Sequence, residues 1–381
     1  MPIRFPPAVV AGVTLFCLNA AIRAAVPLRP PAVPLVACDP YFSIWSPADR
    51  LTDADTTHWT GKPHRLTSQV LIDGKAFRVM GTEPAATPAL PQTRLEVWPT
   101  RTIYSFAGAG VQLTLTFMTA ALPEDIDLLS RPVTYLTYAF QATDGKPHEA
   151  AVQFEANGEI AVNEGRQPVV ASVTPGGGSQ RCASVHRTSR CSQKKATISA
   201  STGGYLYVAA DSSAATGAVK GDAARADTAP ASLTFEPLRV GAQPVYRRLI
   251  LAYDDEYSIQ YRGKNLRPYW RRHGWEASDL LAAAARDYES LQRRCAQFDT
   301  ELMTDLTRAG GEKYAQICAL AVPPVFRRRQ VRGRRPRPAA PILEGEPFQR
   351  PASAPRTCSI RWPRNSCSSV RRWRSRFSFL S

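Results

Sequence analysis

The feature that most constrains the fold is a change in the spacing of apolar residues close to Tyr269. From about residue 30 to residue 253, apolar residues recur at every second position between turn-forming residues. After Tyr269 they recur every three or four positions. Side chains repeat with a period of two along a strand and of about 3.6 around a helix. The sequence therefore predicts many antiparallel strands followed by helices.

Two segments show the strand pattern most clearly. Asp73 and Gly74 separate the apolar runs 70–72 and 77–79, and an Asp-Gly pair supplies the positive φ angles of a two-residue hairpin turn. Apolar residues also alternate with polar ones along residues 111–117, as one buried sheet face requires. Further strands are predicted at 133–140, 151–155, 205–209 and 248–252. So many short strands favour a β-sandwich.

The helical pattern begins after Ser278, which has the side chain of a helix N-cap. Its apolar positions are Leu280, Ala284, Tyr288, Leu291, Cys295, Phe298, Leu302 and Leu306. Gly310 and Gly311 are expected to end this helix, and residues 312–321 to begin a second one. The predicted fold class is therefore mainly β, with an N-terminal antiparallel β-sandwich followed by the first helices of a helical domain.

The net charge of +16 is concentrated in two segments. Residues 322–381 contain 15 Arg and two acidic residues, and residues 181–195 contain five basic residues and no acid. The rest of the chain is close to neutral, so the charge does not indicate a nucleic-acid partner.

A shift of the reading frame would explain the composition of both basic segments. Residues 322–331 can be encoded by codons that, in the neighbouring frame, encode a continuation of the preceding helix. Segments within 343–381, and residues 195–203, give equally sensible sequences when shifted. We therefore interpret 176–203 as out of frame and 322–381 as an out-of-frame, disordered basic tail.

The N-terminus has the layout of a cleavable signal peptide. Arg4 precedes an apolar run over residues 8–22, and Ala24 and Ala25 follow it. The predicted signal covers residues 1–24, and we expect a secreted or periplasmic protein without a membrane span after cleavage. Of the eight cysteines, only Cys38, Cys295 and Cys318 lie outside the signal and the two basic segments. This odd number favours buried thiols over disulfides.

Four motifs resemble the glutaminase A family of secreted bacterial and fungal proteins. They are residues 34–46 (PLVACDPYFSIWS), 51–61 with LTD and HWTG, 251–259 (LAYDDEYSI) and 266–272 (LRPYWRR). The resemblance implies a β-sandwich packed on an (α/α) toroid and hydrolysis of L-glutamine to L-glutamate and ammonia. It divides the chain into a sandwich domain at 25–253 and the start of the toroid at 254–321. As written, the toroid is incomplete and we expect the chain to be an inactive, frameshifted copy.

Candidate catalytic residues come from two of these motifs. Asp39 and His58 could line a cleft together with Trp59, which would then bind the substrate. Alternatively, Asp39 caps a turn and His58 makes a structural hydrogen bond. Asp254 and Asp255 end a predicted strand and could bind an ammonium group or act as acid and base, or could belong to a solvated loop.

Substrate-binding candidates also occur in the fourth motif. Tyr269, Trp270 and Arg271 could recognise a carboxylate, or could clamp the helical domain against the sandwich. No motif indicates a metal or another cofactor, and the expected partner is a small molecule such as glutamine. A carbohydrate-active or carbohydrate-binding protein remains the alternative, because the same two folds serve glycan chemistry.

Overall fold

The computed structural model describes residues 30–175, 180–187, 198–199, 204–211, 213–219, 225–261, 264–327, 329–330 and 342–343. The predicted signal peptide and almost all of the basic tail beyond residue 327 lie outside the described residues.

The strands are numbered along the chain. The first eleven are β1 Val33–Ala37, β2 Ser43–Ser46, β3 Thr57–His58, β4 Leu66–Ile72, β5 Lys75–Met80, β6 Gln92–Val97, β7 Arg101–Gly108, β8 Val111–Met118, β9 Val133–Ala142, β10 His148–Asn157 and β11 Val169–Pro175. The others are β12 Gln180–Arg187, β13 Ile198–Ser199, β14 Tyr205–Asp211, β15 Ala215–Val219, β16 Pro230–Phe235, β17 Leu238–Val240, β18 Val245–Asp254, β19 Ile259–Tyr261, β20 Lys264–Leu266, β21 Arg329–Gln330 and β22 Ile342–Leu343.

Helices are few in the described part of the chain. The two α-helices are α1 Ile126–Leu129 and α2 Ala277–Arg327. Short 3-10 helices are Gly158–Ala161, Ala226–Thr228 and Tyr269–Arg271. None of the helices in this part of the chain has an apolar stretch long enough to cross a bilayer.

Two antiparallel sheets form a sandwich. The larger has the order β11-β12-β14-β18-β9-β8-β7-β6, and the smaller has the order β15-β16-β10-β4-β5 with β17 beside β10. Their facing side chains form one core, to which the larger sheet contributes Phe117 and Tyr138 and the smaller contributes Phe154. The Ser68 and Tyr138 hydroxyls, 2.9 Å apart, join the sheets inside this core. The predicted fold class is confirmed: mainly β, antiparallel, with a helical segment after the strands.

The predicted hairpin and the predicted alternating strand are confirmed. Asp73 and Gly74, with φ of 50° and 78°, connect β4 to β5. Glycine tolerates such angles, and aspartate adopts them more readily than most residues. In β8 the side chains of Val111, Leu113 and Leu115 are fully buried, whereas Gln112 is exposed.

The outer face of the larger sheet is covered by α2. In β18, Leu249 and Leu251 face the sandwich core, whereas Ile250 and Ala252 belong to a second apolar cluster with the helix. The helix contributes Leu280, Ala284, Tyr288, Leu291 and Cys295 to that cluster, which are five of the apolar positions predicted for it. Burial on both faces explains why this part of β18 is continuously apolar instead of alternating.

The glycine pair separates two helices within α2, as predicted. Gly311 has φ 81° and ψ 176°, a conformation that interrupts the helix and suits glycine. Helical structure then continues to Arg327. Residues 322–327 of the predicted tail are therefore helical. The domain boundary at 322 concerns the reading frame and stays a prediction.

Part of the segment interpreted as out of frame belongs to the larger sheet. Strand β12 pairs with β11 on one side and β14 on the other. Residues 176–179, 188–197 and 200–203 lie outside the described residues, and the frame interpretation stays a prediction. Among the cysteines, Cys295 is buried as predicted, whereas Cys38 and Cys318 are only half-buried. These three cysteines form no disulfide within the described residues.

A buried carboxylate fastens α2 to the sandwich. Asp299 is completely buried; one of its oxygens accepts from the Thr100 backbone N and hydroxyl, both at 2.9 Å. The other oxygen lies 2.8 Å from Arg101 Nε. Burial raises the pKa of Asp299, and these partners oppose that rise. The helix therefore attaches at the turn between β6 and β7 through a satisfied ion pair.

Removing this carboxylate is expected to destabilise the protein strongly. Asp299→Ala leaves Arg101 and Thr100 without their acceptor, and we expect a loss of about 3 kcal/mol in the free energy of unfolding, measured by urea denaturation. Asp305→Ala on the same helix removes only a partly exposed pair with Arg308 and should cost at most about 1 kcal/mol. Equal losses for the two variants would contradict the assigned role of Asp299.

Candidate functional site

A small cleft opens where β18 ends. It lies between the β1–β2 turn, α1, the start of β9, the loop after β18 and the 3-10 helix at Tyr269–Arg271. Its volume is about 30 Å³, and its lining residues are Cys38, Asp39, Leu129, Ser130, Pro132, Tyr253, Asp255, Ser258, Pro268 and Trp270. A volume of this size admits about two water molecules. Three of the predicted site residues, Asp39, Asp255 and Trp270, line it together.

Asp39 is positioned by the tight turn between β1 and β2. Its Oδ1 accepts from the backbone N–H groups of Tyr41 and Phe42, at 2.7 and 2.8 Å. The Phe42 ring then stacks on Tyr253, with centroids 5.4 Å apart. The turn-stabilising hydrogen bonds expected for Asp39 are therefore present, and they hold its carboxylate at the cleft.

Tyr253 lines the cleft and is almost completely buried. Gly204 approaches its ring so closely that a Cβ at position 204 would overlap the phenol, so this glycine is required for packing. Burial is the main cause that raises the pKa of the Tyr253 hydroxyl, and the nearby carboxylates of Asp255, Asp39 and Asp254 raise it further. Tyr253 therefore stays protonated at neutral pH and can act as a hydrogen-bond donor.

Asp255 has the most perturbed carboxyl group of the cleft. Burial raises its pKa from 3.8 to about 7, the nearby carboxylates of Asp39 and Asp254 add to the rise, and a hydrogen bond with Ser258 opposes it. A carboxyl group that titrates near neutral pH can take up and release a proton under working conditions. Such groups are concentrated at functional sites.

Asp254 and Arg271 form a buried ion pair behind the cleft. Arg271 Nε donates to Asp254 Oδ1 at 3.2 Å, and a second guanidinium N–H donates to Asp254 Oδ2. Arg271 also pairs with Glu276, donates to the Trp275 carbonyl at 3.3 Å and lies 4.6 Å from the Trp270 ring centroid. This arrangement corresponds to the clamp alternative, because it connects the end of β18 to the start of α2.

The aromatic residues of the fourth motif differ in their surroundings. Trp270 lines the cleft and is 3% exposed, and its buried Nε1–H has no acceptor within the described residues. Tyr269 is buried under the guanidinium of Arg272, 3.9 Å from its ring centroid, and is not among the lining residues. A substrate-binding role for either residue stays a prediction.

His58 belongs to β3 of the small β1-β2-β3 sheet, Trp59 lies in the turn that follows, and neither lines the cleft. His58 Nε2 lies 2.8 Å from the Pro40 carbonyl oxygen, and Trp59 Nε1 donates to the same oxygen at 3.0 Å. Trp59 remains 46% exposed. Asp39 and Asp255 therefore line the cleft together, whereas His58 and Trp59 do not. The contact of His58 with the Pro40 carbonyl is of the structural kind considered as its alternative, and the roles of both residues stay predictions.

Sequence reasoning did not single out Tyr253, Ser258 or Cys38 as cleft residues. Tyr253 and Ser258 belong to the same motif as Asp254 and Asp255, so the motif itself was the signal that could have pointed to them. Among the described residues, no group of three or more His, Cys, Asp or Glu side chains has a metal-binding arrangement.

Comparison with protein families identifies the chain. Residues 100–305, more than half of its length, match the model described as "Domain of unknown function (DUF5127)". The chain belongs to the DUF5127 family. Residues 17–90 match a second model, "Domain of unknown function (DUF4964)". The DUF5127 match spans the larger part of the sandwich and most of α2, whereas the DUF4964 match includes the β1–β2 turn that carries Asp39.

A curated relative supports the resemblance to glutaminase A. The DUF5127 chain is 29% identical over 143 residues to glutaminase A of Aspergillus oryzae, a match that covers 35% of this chain and 21% of the relative. The matched region thus spans about a fifth of the length of that protein. The resemblance inferred from the motifs is confirmed as a distant homology.

Two solved structures show a remote likeness to this DUF5127 protein. A protein described as a kojibiose phosphorylase from the human microbiome aligns with a TM-score of 0.40 at 8% identity, over 74% of this chain and 34% of that one. A mutant of the heparan sulfate lyase HepC from Pedobacter heparinus aligns with a TM-score of 0.26 at 10% identity, over 44% of this chain and 22% of that one.

The raised pKa of Asp255 predicts a specific pH dependence of stability. The folded state binds this proton more tightly than the unfolded state, so the wild-type protein loses stability as pH rises from about 4 to about 7. Asp255→Asn mimics the protonated form. We expect the variant to be more stable than wild type at pH 8 by about 1 to 2 kcal/mol, after allowing for solvent screening of a partly exposed group, and similar at pH 4.

Thermal denaturation at the two pH values measures this effect. Glu256→Gln is the matched control, since it removes a neighbouring negative charge without changing a residue that lines the cleft. An Asn variant that is less stable than wild type at pH 8 would show that the Asp255 carboxylate is stabilising, contrary to the geometry.

Proposed function

We propose that this DUF5127 protein is a glutaminase-type amidohydrolase and that the cleft at the end of β18 contributes to hydrolysis of L-glutamine to L-glutamate and ammonia. The observation that carries this proposal is the sequence match to glutaminase A. The cleft adds chemical support, because amide hydrolysis needs a base to activate water, and the Asp255 carboxyl titrates near neutral pH.

In the proposed mechanism, the Asp255 carboxylate takes a proton from a water molecule as the resulting hydroxide attacks the side-chain amide carbon. The tetrahedral intermediate collapses by breaking the C–N bond, and Asp255 returns the proton to the departing nitrogen, which leaves as ammonia. Donors are needed for the developing oxyanion. Tyr253, whose hydroxyl stays protonated at neutral pH, lines the cleft and can supply a donor of this type.

The small volume of the cleft indicates that further structural elements are needed to bind glutamine. About 30 Å³ is too small for a whole glutamine molecule, so a competent site needs further walls. We propose that helices following α2 supply them as part of an (α/α) toroid, and that the reading frame encoding them is broken after residue 321. The chain as printed is therefore proposed to be inactive, and the protein to be exported by residues 1–24.

Resequencing the coding DNA for residues 175–205 and from residue 318 onward tests the frame proposal. A frame-corrected gene should encode a chain that releases ammonia from L-glutamine in a coupled assay, whereas the printed chain should release none. Ammonia release by the printed chain would refute its inactivity. Reducing-sugar release from glycans by the corrected chain, without ammonia release, would instead favour the carbohydrate-active alternative.

Substitution of the proposed base is expected to abolish most activity of the frame-corrected protein. Asp255→Asn removes the proton acceptor but keeps the shape of the side chain, so kcat should fall by a factor of about 10² to 10⁴. Glu256→Gln is the control and should retain activity. Full ammonia release by the Asn variant would exclude Asp255 as the base. It would not affect the assignment of glutamine as the substrate, which is tested by ammonia release from the frame-corrected wild-type protein.

A further inference from the structure

His148 lies between two carboxylates at the end of the sandwich away from the strand end that forms the cleft. Its Nδ1 is 2.7 Å from Asp73 Oδ2, and its Nε2 is 3.0 Å from Asp144 Oδ1. The imidazole side chain is only 9% exposed, whereas the carboxylates of Asp73 and Asp144 are 51% and 37% exposed. Both ring nitrogens are therefore engaged, each with an acceptor that carries a negative charge when ionised.

The two carboxylates belong to different connections of the fold. Asp73 is in the β4–β5 turn, where its backbone N donates to Glu149 O and its Oδ1 accepts from Glu149 N, both at 2.9 Å. Asp144 lies between β9 and β10, the connection that passes from the larger sheet to the smaller one, and its Oδ1 also accepts from Lys146 N at 2.9 Å. His148 thus joins a hairpin of one sheet to the crossover from the other.

A third turn encloses the imidazole. Gly110, in the β7–β8 turn, has φ of 72°, and a Cβ at this position would lie 2.6 Å from His148 Nε2. The adjoining backbone is held by the hydrogen bond from Thr143 N to Gly110 O, at 2.8 Å. The ring therefore has little room to move away from its two partners.

We infer that His148 is a pH-dependent clasp that fastens the β9–β10 crossover to the β4–β5 hairpin when its ring is protonated. An imidazolium donates from both nitrogens, so it satisfies both carboxylates. The neutral ring has one N–H and directs a lone pair at the other carboxylate. Deprotonation therefore removes one hydrogen bond and leaves two negative charges close to an uncharged ring.

The direction of the pH effect follows from the three groups. The hydrogen bonds to Asp73 and then Asp144 raise the pKa of His148 above 6.5, so its contribution is complete below pH 6.5 and is lost as pH rises through the raised value. The hydrogen bond to His148 lowers the pKa of Asp73 and of Asp144 below 3.8. The contribution of these two carboxylates to stability is therefore present above pH 3.8 and is lost in stronger acid. Asp73 and Asp144 are the titratable groups that face the ring. The clasp is strongest between about pH 4 and 6.5.

The direct test is an NMR titration of the full chain with isotopically labelled histidine. The chain has five histidines, and the signal missing from His148→Gln assigns His148. Its pKa should lie above 6.5 in the wild-type protein and should fall in Asp144→Asn, in which one charged acceptor is neutral. A pKa of 6.5 or lower, or one unchanged in Asp144→Asn, would overturn the inference.

Stability supplies an independent readout. The urea midpoint of the wild-type protein should decrease between pH 5.5 and 8.5 by more than that of His148→Gln, whose side chain does not titrate. The exposed His273→Gln is the matched control and should follow the wild-type pH profile. Parallel profiles for wild type and His148→Gln would contradict the clasp. If His148→Gln fails to fold, Asp144→Asn replaces it, and its midpoint should decrease less than that of wild type.

Discussion

The burial of the larger sheet on both faces is the constraint on which the rest of the structure depends. One face of β9 and β18 packs against the smaller sheet, and the other packs against α2. Apolar burial contributes roughly 25 cal/mol per Å², so a sheet with two apolar faces is stable only if both are covered. The position of α2 over the larger sheet follows from the need to cover the second face.

Charged groups then determine where the helix attaches. Asp299 pairs with Arg101, Asp287 with Arg131, and Glu276 with Arg271, so three points along or just before α2 are joined to the sandwich or to the segment leaving it. Arg271 also neutralises Asp254 at the end of β18. Hydrophobic contact alone would allow the helix to slide, whereas ion pairs fix its register, above all that of the buried Asp299, because an unpaired buried charge is costly.

The cleft arises at the junction of these elements rather than within one of them. Its walls come from the β1–β2 turn, α1, the start of β9, the end of β18 and the segment before α2, which lie far apart along the chain. Asp255 owes its raised pKa to this junction, since it is enclosed there beside two other carboxylates. The chemistry proposed for the site is thus a consequence of the packing that stabilises the fold.

The sequence by itself determined the local structure. Its period-two pattern, the Asp73-Gly74 turn and the change to a helical period predicted the strands, the hairpin and the helix, because these depend on residues close together along the chain. Its motifs also pointed to the distant glutaminase A homology and selected Asp39, Asp255 and Trp270 as candidates. Only the tertiary structure decided that Asp39 lies beside Asp255, that Asp254 is occupied by Arg271, and that His148 lies between Asp73 and Asp144. Those relations depend on how two sheets and a helix pack together, and spacing along the chain carries no information about distances across a folded core.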